Sequence, residues 1–549
     1  MQERKMDHTR MEKTENVKRS CAPALLRACV LLSVLASTAA AQTYGPHVAP
    51  PPGADSTYVA SFDVPAPPAY GAMLLGTDAG RALLDEGRAL MIAFRLDAAE
   101  AAFRRLDRAE PASPAALYHL TTLALWRALM NEREPFYGRF FAVADTLEAR
   151  LDALPASPWK THFEAELAFQ RAVVYAKQER YPKAGLALRA AYNRYADNLR
   201  RHPDFWESYK GMGLCHVAVG AVPRAYRWIL SVLGFGGTVQ QGMDELEAAL
   251  RNSAYGREEA ALYLAVVDAL LNEGKAGAIR HVAALHAAYP ESPMPAYLHA
   301  FLLLNDRRAE EAEAALRHAA AQQAPADVDD VPYVDYYLAE ALFRQNRFEE
   351  ALPLFERYAR TYRGHALLAS AHLHAGLARE MTGDRDGALA HYRRVQADRD
   401  YDSDRSAQRR AARLLERPLS DDERTLLLGQ NLYDGGRYED AVRTVQPVLG
   451  DPEAEVVHRA EAAYRSGRAY QALGAWNEAI RHYRIAVSNP GDPLAKWGPW
   501  SQYYIGEVYE EMGDAEAARR AYRAALDYEA EFDYHKALEQ RARTALGRL

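Results

Sequence analysis

The chain has 549 residues, 49% hydrophobic and 26% charged, a globular balance in a length too great for one compact core. Its formal charge is -7, but residues 1–41 hold seven Lys/Arg against four Asp/Glu, so the remainder carries 60 basic and 70 acidic side chains, net -10. That acidic excess argues against a nucleic-acid or anionic-membrane footprint, either of which needs a dense basic surface.

In chain order the first element is a leader. Lys18 and Arg19 precede an apolar run, Ala28 to Ala36, and Ala39-Ala40-Ala41 before Gln42 forms a small-residue cleavage site. The pattern predicts a signal peptide over residues 1–41 and therefore a periplasmic or otherwise exported protein, with Met11 as an alternative start. The apolar run is too short to span a bilayer, and the mature chain is expected to have no transmembrane segment. Arg27 interrupts the approach to Cys29, which argues against a lipidated cysteine. Cleavage after Ala41 leaves Cys215 as the sole cysteine, so stability has to come from helix packing rather than from disulfides. Residues 42–76, rich in Pro, Ala and Gly, read as a semi-extended linker.

From residue 77 onward, apolar and small residues recur at helical spacing in pairs of segments, and no strand alternation persists. The first pair is marked by Gly87, Leu90, Ala99, Phe103, Leu106 and Pro111. Ser113-Pro114 opens a long apolar helix through Met130, and Pro135 to Leu154 returns antiparallel to it. A further unit shows Ala172, Tyr175, Tyr181, Ala184, Leu188 and Ala191. Phe205 to Gln241 departs from the pattern: a helix is followed by a bulky apolar run, then Gly234, Gly236 and Gly237, and a new helix is expected near Gly242.

The later units are more regular. They are marked by Ala278, Val282, Leu285 and Pro290; by Ala300, Ala312, Leu316 and Ala319; by Ala339, Leu342, Phe348, Ala351 and Phe355; and by Gly376, Gly383, Ala388 and Tyr392. Gly429, Gly436, Tyr438 and Ala441 follow, then Gly467, Tyr470, Gly474, Ala479, Tyr483 and Ala486. The last unit has Gly506, Tyr509, Ala518, Tyr522 and Ala525 around a turn at Met512-Gly513-Asp514. Between the fourth and fifth of these, a charged stretch reads as one extra helix ended by Pro418, after which Ser420 and Glu423 form a capping box. The division expected is residues 77–265 as divergent helical repeats and 266–549 as a regular array.

These units resemble the tetratricopeptide repeat, whose pattern places small residues where two antiparallel helices cross and aromatics beside them. The resemblance implies an all-α superhelical solenoid in which stacked pairs bury their apolar stripes against one another and leave a concave face. Over residues 211–265 the apolar run followed by Gly-Phe-x-Gly also resembles a segment of exported bacterial repeat proteins and of the inclusion-body clearance family. In tetratricopeptide repeats the concave wall comes from the first helix of each pair. That nominates Met294, Tyr297 and Phe301; Tyr333, Tyr336 and Glu340; Glu461, Tyr464 and Arg468; and Trp500, Tyr503, Glu507 and Glu510. The resemblance implies a non-catalytic scaffold that binds an extended peptide or an envelope protein in this groove; export leaves peripheral association with the envelope open. Binding of a glycan or lipid is the alternative.

Candidate chemistry is sparse. His372 and His374 are two apart and point to different helix faces, so no metal is expected there. Asp398, Asp400, Asp402 and Asp404 alternate, but the sixth and twelfth positions counted from Asp398 are Ser403 and Arg409, not the Gly and Glu of a calcium loop. The Gly234 to Gly237 stretch lacks a following Lys-Ser/Thr and reads as a reversal between helices. Cys215 and His216 are adjacent and do not face each other on a helix. No catalytic motif and no cofactor is indicated; an enzyme with a site in 205–242 is the weakest reading.

Overall fold

The computed structural model describes residues 71, 73–221, 234–271, 275–324, 330–397, 402–489, 495–528 and 532–549. The expected leader with Cys29, nearly all of the expected linker, and Asp398 and Asp400 lie outside them. The described residues form twenty-four α-helices and no strand. The N-terminal part comprises α1 (Asp78–Ile92), α2 (Leu96–Ala109), α3 (Ala115–Asn131), α4 (Glu134–Asp152), α5 (Pro158–Lys177), α6 (Tyr181–Arg201), α7 (Glu207–Gly220) and α8 (Val239–Asn252). The middle contains α9 (Arg257–Leu271), α10 (Lys275–Ala288), α11 (Pro293–Asn305), α12 (Ala309–Gln322), α13 (Tyr333–Arg344), α14 (Phe348–Thr361), α15 (Leu368–Met381) and α16 (Arg385–Tyr392). The rest is α17 (Asp402–Glu416), α18 (Asp421–Asp434), α19 (Tyr438–Gly450), α20 (Val456–Ala472), α21 (Trp476–Ser488), α22 (Trp497–Glu511), α23 (Ala515–Leu526) and α24 (His535–Arg548).

The pairing follows from one local fit. A glycine on the first helix of a pair leaves a notch, and an aromatic ring sixteen residues later, on the second helix, fills it. At Gly87, Gly376, Gly467 and Gly506 an added Cβ would come closer than 3.0 Å to Phe103, Tyr392, Tyr483 and Tyr522 respectively. In three of these pairs the tyrosine hydroxyl then finds an acceptor four residues beyond the glycine. Tyr392 donates to Glu380 at 2.7 Å, Tyr483 to Gln471 at 2.7 Å, and Tyr522 to Glu510. Ring burial supplies the drive and the hydroxyl keeps its hydrogen bond, so the notch fixes both the helix crossing and its register.

The turn inside each pair requires a left-handed residue. Gly383, Gly436, Gly474 and Gly513 supply it in the later repeats, but Phe94, Glu179, Arg307 and Asn346 adopt φ near 60° at the equivalent points of earlier ones. Those turns carry a strain of roughly 1–2 kcal/mol each, which packing outweighs. It is also why glycine spacing marks the C-terminal repeats more clearly than the earlier ones.

The expected extra helix is α17, and Ser420 with Glu423 forms the expected capping box. Two expectations shift. The helix expected near Gly242 begins at Val239, because the Thr238 hydroxyl caps it by accepting from Gln241 N at 3.1 Å. Gly242 instead lies against Gly213 of α7, each where a Cβ would strike the other's carbonyl oxygen. At the other boundary, Met73 and Leu75 are buried in the core, so the folded part starts before residue 77.

Beyond stacking on its neighbours, the array touches itself at points far apart in sequence. Arg88 of α1 donates to the Tyr255 carbonyl at 3.1 Å and pairs with Glu258 at 3.3 Å. Arg344 at the end of α13 donates to the Leu304 carbonyl at 2.8 Å, and Asn431 of α18 donates its amide to the Asn346 Oδ1 at 2.9 Å. Ser406 of α17 donates to Asp533 at 2.9 Å. The longest link is Glu132, in the α3–α4 turn. Its carboxylate accepts the backbone N–H groups of His365 and Ala366, both at 2.9 Å, and pairs with Lys177. Burial opposes its charge, yet Lys177 and these donors hold its pKa below the ordinary carboxylate value of 4.5.

Glu132→Gln is therefore expected to lower unfolding stability by about 2–3 kcal/mol at neutral pH, through loss of charge-assisted bonds at a buried position. Because the folded pKa is depressed, this contribution is present above about pH 4.5 and fades as pH falls through the folded value. Urea titrations should show the gap closing in acid; an equal midpoint at pH 7 would remove Glu132 as a clamp.

Candidate functional site

Among the described residues one apolar cluster gathers side chains from Met73 to Leu427 and a second gathers side chains from Ala479 to Ala545. Smaller clusters occupy the interval, and there the inner ends of the first helices meet in a ladder of guanidinium and phenol groups. Arg307 lies 4.6 Å from the Tyr433 ring centre, and Arg468 lies 5.7 Å from Tyr433 and 3.8 Å from Tyr504. Arg468 also donates to Gln471 at 3.2 Å. Cation–π contact of this kind helps to hold arginines at a buried position.

The nominated residues divide into two groups around this ladder. On α11 and α13, Tyr297 stacks on Tyr333 at 6.2 Å, Phe301 meets Tyr337 edge-on, and Tyr336 sits against Phe355 and Tyr358. Glu340 is engaged by Arg344 at 2.9 Å and His374 at 3.2 Å, which against the opposing effect of burial hold its pKa at about 2. These side chains are buried against their neighbours; Met294 is half-buried. On α20 and α22 the structure brings Tyr464, Arg468, Trp500, Tyr503 and Glu507 into one cluster, with Tyr504 at its centre. Glu461 pairs with Arg465. Glu510 is taken up by Tyr522 and by Arg548 at 3.1 Å, as part of the repeat packing.

The cluster holds unspent hydrogen-bonding capacity. Glu507 is 4% exposed, Tyr503 stands beside it, and neither carboxylate oxygen receives a well-formed hydrogen bond. Trp500 Nε1 and Glu511 Oε2 are likewise buried without a partner. Burial pushes the Glu507 carboxyl up to about 7, with Arg468 pulling the other way, and burial takes Glu511 to about 7 as well. Sequence reasoning missed Tyr433 and Tyr504. The same position count, applied to the repeat around Gly429, reaches Tyr433; Tyr504 follows a nominated neighbour and carried no separate signal.

A second concave feature lies in the N-terminal half. The first helices of five consecutive pairs, α3, α5, α7, α9 and α11, enclose a pocket of about 890 Å³ including the space at its mouth. Leu125, Leu129, Phe169, Val173, Leu214 and Met294 contribute to an apolar wall. Its polar part is an ion cluster: Lys210 donates to Glu166 at 3.1 Å and pairs with Glu259, while Tyr118 and Tyr195 donate to Glu166 at 3.1 and 2.6 Å. Of the residues tested for chemistry in the sequence, Cys215 is fully buried, and His216 lies 2.6 Å from Glu245. His372 faces His391 at 3.1 Å and His374 faces Glu340, so the two point apart. Among the described residues no group of three metal-ligating side chains is placed to hold an ion, and no helix is long and apolar enough to cross a membrane.

A family model described as tetratricopeptide repeat matches residues 297–366 and 426–493, and a second of the same description matches 500–530. No curated protein matches the sequence. Among solved structures, the Rap protein complexed with competence and sporulation factor is 14% identical, with 85% of this chain and 100% of that chain covered at a TM-score of 0.34. Yeast Tom70 is 13% identical, with 85% and 99% covered at 0.30. The human IFIT1 dimer with PPP-AAAA is 14% identical, with 84% and 96% covered at 0.29.

A carboxyl whose folded pKa is raised stabilises the fold below its unfolded value and loses that contribution as pH rises through the folded one. Stability should therefore fall between about pH 4.5 and 7 as Glu507 and Glu511 ionise. Glu507→Gln is expected to flatten part of this fall, so that its melting temperature gains on wild type by roughly 2 °C or more between pH 5 and 8. Parallel melting curves across that range would show that Glu507 does not ionise in a buried setting.

Proposed function

The chain is a tetratricopeptide repeat protein, and from that premise we propose that it is a non-catalytic, exported adaptor whose inner face docks an extended segment of a protein partner. Repeat arrays of this kind offer long concave surfaces on which many modest contacts add up. The observation that carries the reading is the cluster on α20 and α22. Buried polar atoms in native proteins are nearly always hydrogen-bonded, yet the Glu507 carboxylate, Glu511 Oε2 and Trp500 Nε1, all on α22, are buried without a well-formed hydrogen bond. Together they offer acceptors and a donor among Tyr464, Tyr503 and Tyr504, and an extended peptide, with alternating N–H and C=O groups and side chains, can supply the complement.

The test is selection of displayed random peptides on the folded protein. Enrichment should be strong on wild type and on the outer-face control Leu186→Ala, where Leu186 is 71% exposed. It should fall by about tenfold or more with Trp500→Ala or Glu507→Ala, in line with loss of an aromatic anchor or a charged hydrogen bond. Selection that ignores both substitutions, or saturable binding of envelope glycans in place of peptides, counts against the adaptor. Export is tested separately: residues 1–41 act as a signal peptide in this reading, so the N-terminus of the protein recovered from the periplasm should be Gln42.

A further inference from the structure

The N-terminal pocket is not used by the peptide-docking reading, and its chemistry is specific. Its ion cluster sets two carboxylates, Glu166 and Glu259, against one ammonium, Lys210. Glu166 is saturated, since Lys210, Tyr118 and Tyr195 all donate to it. Lys210 is saturated too, its hydrogens directed at Glu166, Glu259 and the Tyr118 hydroxyl, so it has none left for an anionic ligand. The nearby histidines do not restore the balance: burial lowers His162 to about 4 and takes His119 well below its ordinary value, leaving both neutral. One negative charge is in excess.

Among the described residues lining the pocket, the buried polar atom left without a partner is an acceptor. Gln170, 4% exposed on the pocket wall, donates its amide to Thr122 at 3.0 Å and leaves its carbonyl oxygen buried without a partner. Glu259 is less buried than Glu166, with 18% of its side chain exposed against 5%, so it lies toward the open side. Around these acceptors the wall is aliphatic and aromatic.

We propose that this pocket binds a small amphiphile: an apolar body held by Leu129, Phe169, Val173 and Met294, and a cationic, hydrogen-bond-donating head held by Glu259 and the Gln170 carbonyl. A carboxylate or phosphate head meets an excess of negative charge and no free donor on Lys210, and is rejected.

Calorimetric titration of the full chain with octylammonium, octanol and octanoate tests this. Octylammonium should bind saturably and about tenfold or more tighter than octanol, the worth of a hydrogen bond to a charged group, with octanoate weakest. Glu259→Gln should erase the preference for the ammonium over the alcohol. Should that variant not fold, Met294→Trp, a substitution at a half-buried wall position, should block all three ligands while leaving the helical circular dichroism unchanged. Octanoate binding tightest, equal affinity for ammonium and alcohol on wild type, binding undiminished in Met294→Trp, or no saturable binding of octylammonium by folded protein each overturns the proposal. None of these results bears on Trp500 or Glu507, so the adaptor reading stands or falls separately.

Discussion

The architecture rests on a steric fit repeated along the chain: an aromatic ring set into the gap left by a missing side chain on the facing helix. Gly87 with Phe103, Gly376 with Tyr392, Gly467 with Tyr483 and Gly506 with Tyr522 are versions of the same contact. Its geometry permits little variation, because a methyl group at the glycine would overlap the ring and a smaller ring would leave a void, each costing on the order of 1–3 kcal/mol. The hydroxyl bonds of Tyr392, Tyr483 and Tyr522 add orientation to the fit. With the crossing of each pair set in this way, stacking of successive pairs follows, and the superhelix is the accumulated result of many small rotations.

A superhelix built from local fits alone has no contact between its distant parts. Here such contacts exist. Glu132 reaches His365 and Ala366, Arg88 reaches Tyr255, and the α13–α14 turn meets α18. Tyr297 and Tyr333 stack on each other and Tyr336 packs on Phe355 and Tyr358, so these phenols are buried rather than lining an open trough. The interior is consequently divided: a pocket with an apolar wall among α3, α5, α7, α9 and α11, and an aromatic cluster with arginines and unspent carboxylates among α18, α20 and α22. In the first, the buried atom without a partner is the Gln170 carbonyl oxygen; in the second, Trp500 Nε1 and carboxylate oxygens of Glu507 and Glu511 are left buried along one helix.

Much of this was legible beforehand, and the reason differs by feature. Helix pairs could be read because apolar and small residues recur at helical spacing in consecutive pairs of segments, which is a property of neighbours along the chain. The Ser420–Glu423 cap and the helix ending before Pro418 were equally local. The start of α8 was misplaced because Gly242 signals close approach to Gly213 on another helix, not a helix boundary. Glu510 was read as a groove residue from its position in the repeat, whereas Tyr522 and Arg548 take up its carboxylate.

The amino-acid order by itself determined the helical repeat, its pairing and its notches, since each depends on residues within a few tens of positions and on contacts every repeat must make. Tertiary structure alone decided which first-helix side chains remain free to meet a ligand. That outcome depends on how far the array winds before it touches itself, and winding is set by small rotations summed over many repeats and by a few long-range clamps such as Glu132 with His365. It also placed Lys210, Glu166 and Glu259, which stand on three separate helices, around one excess charge. No spacing along the chain encodes that meeting, because the distances between these residues in sequence reflect the lengths of intervening helices rather than any contact among themselves.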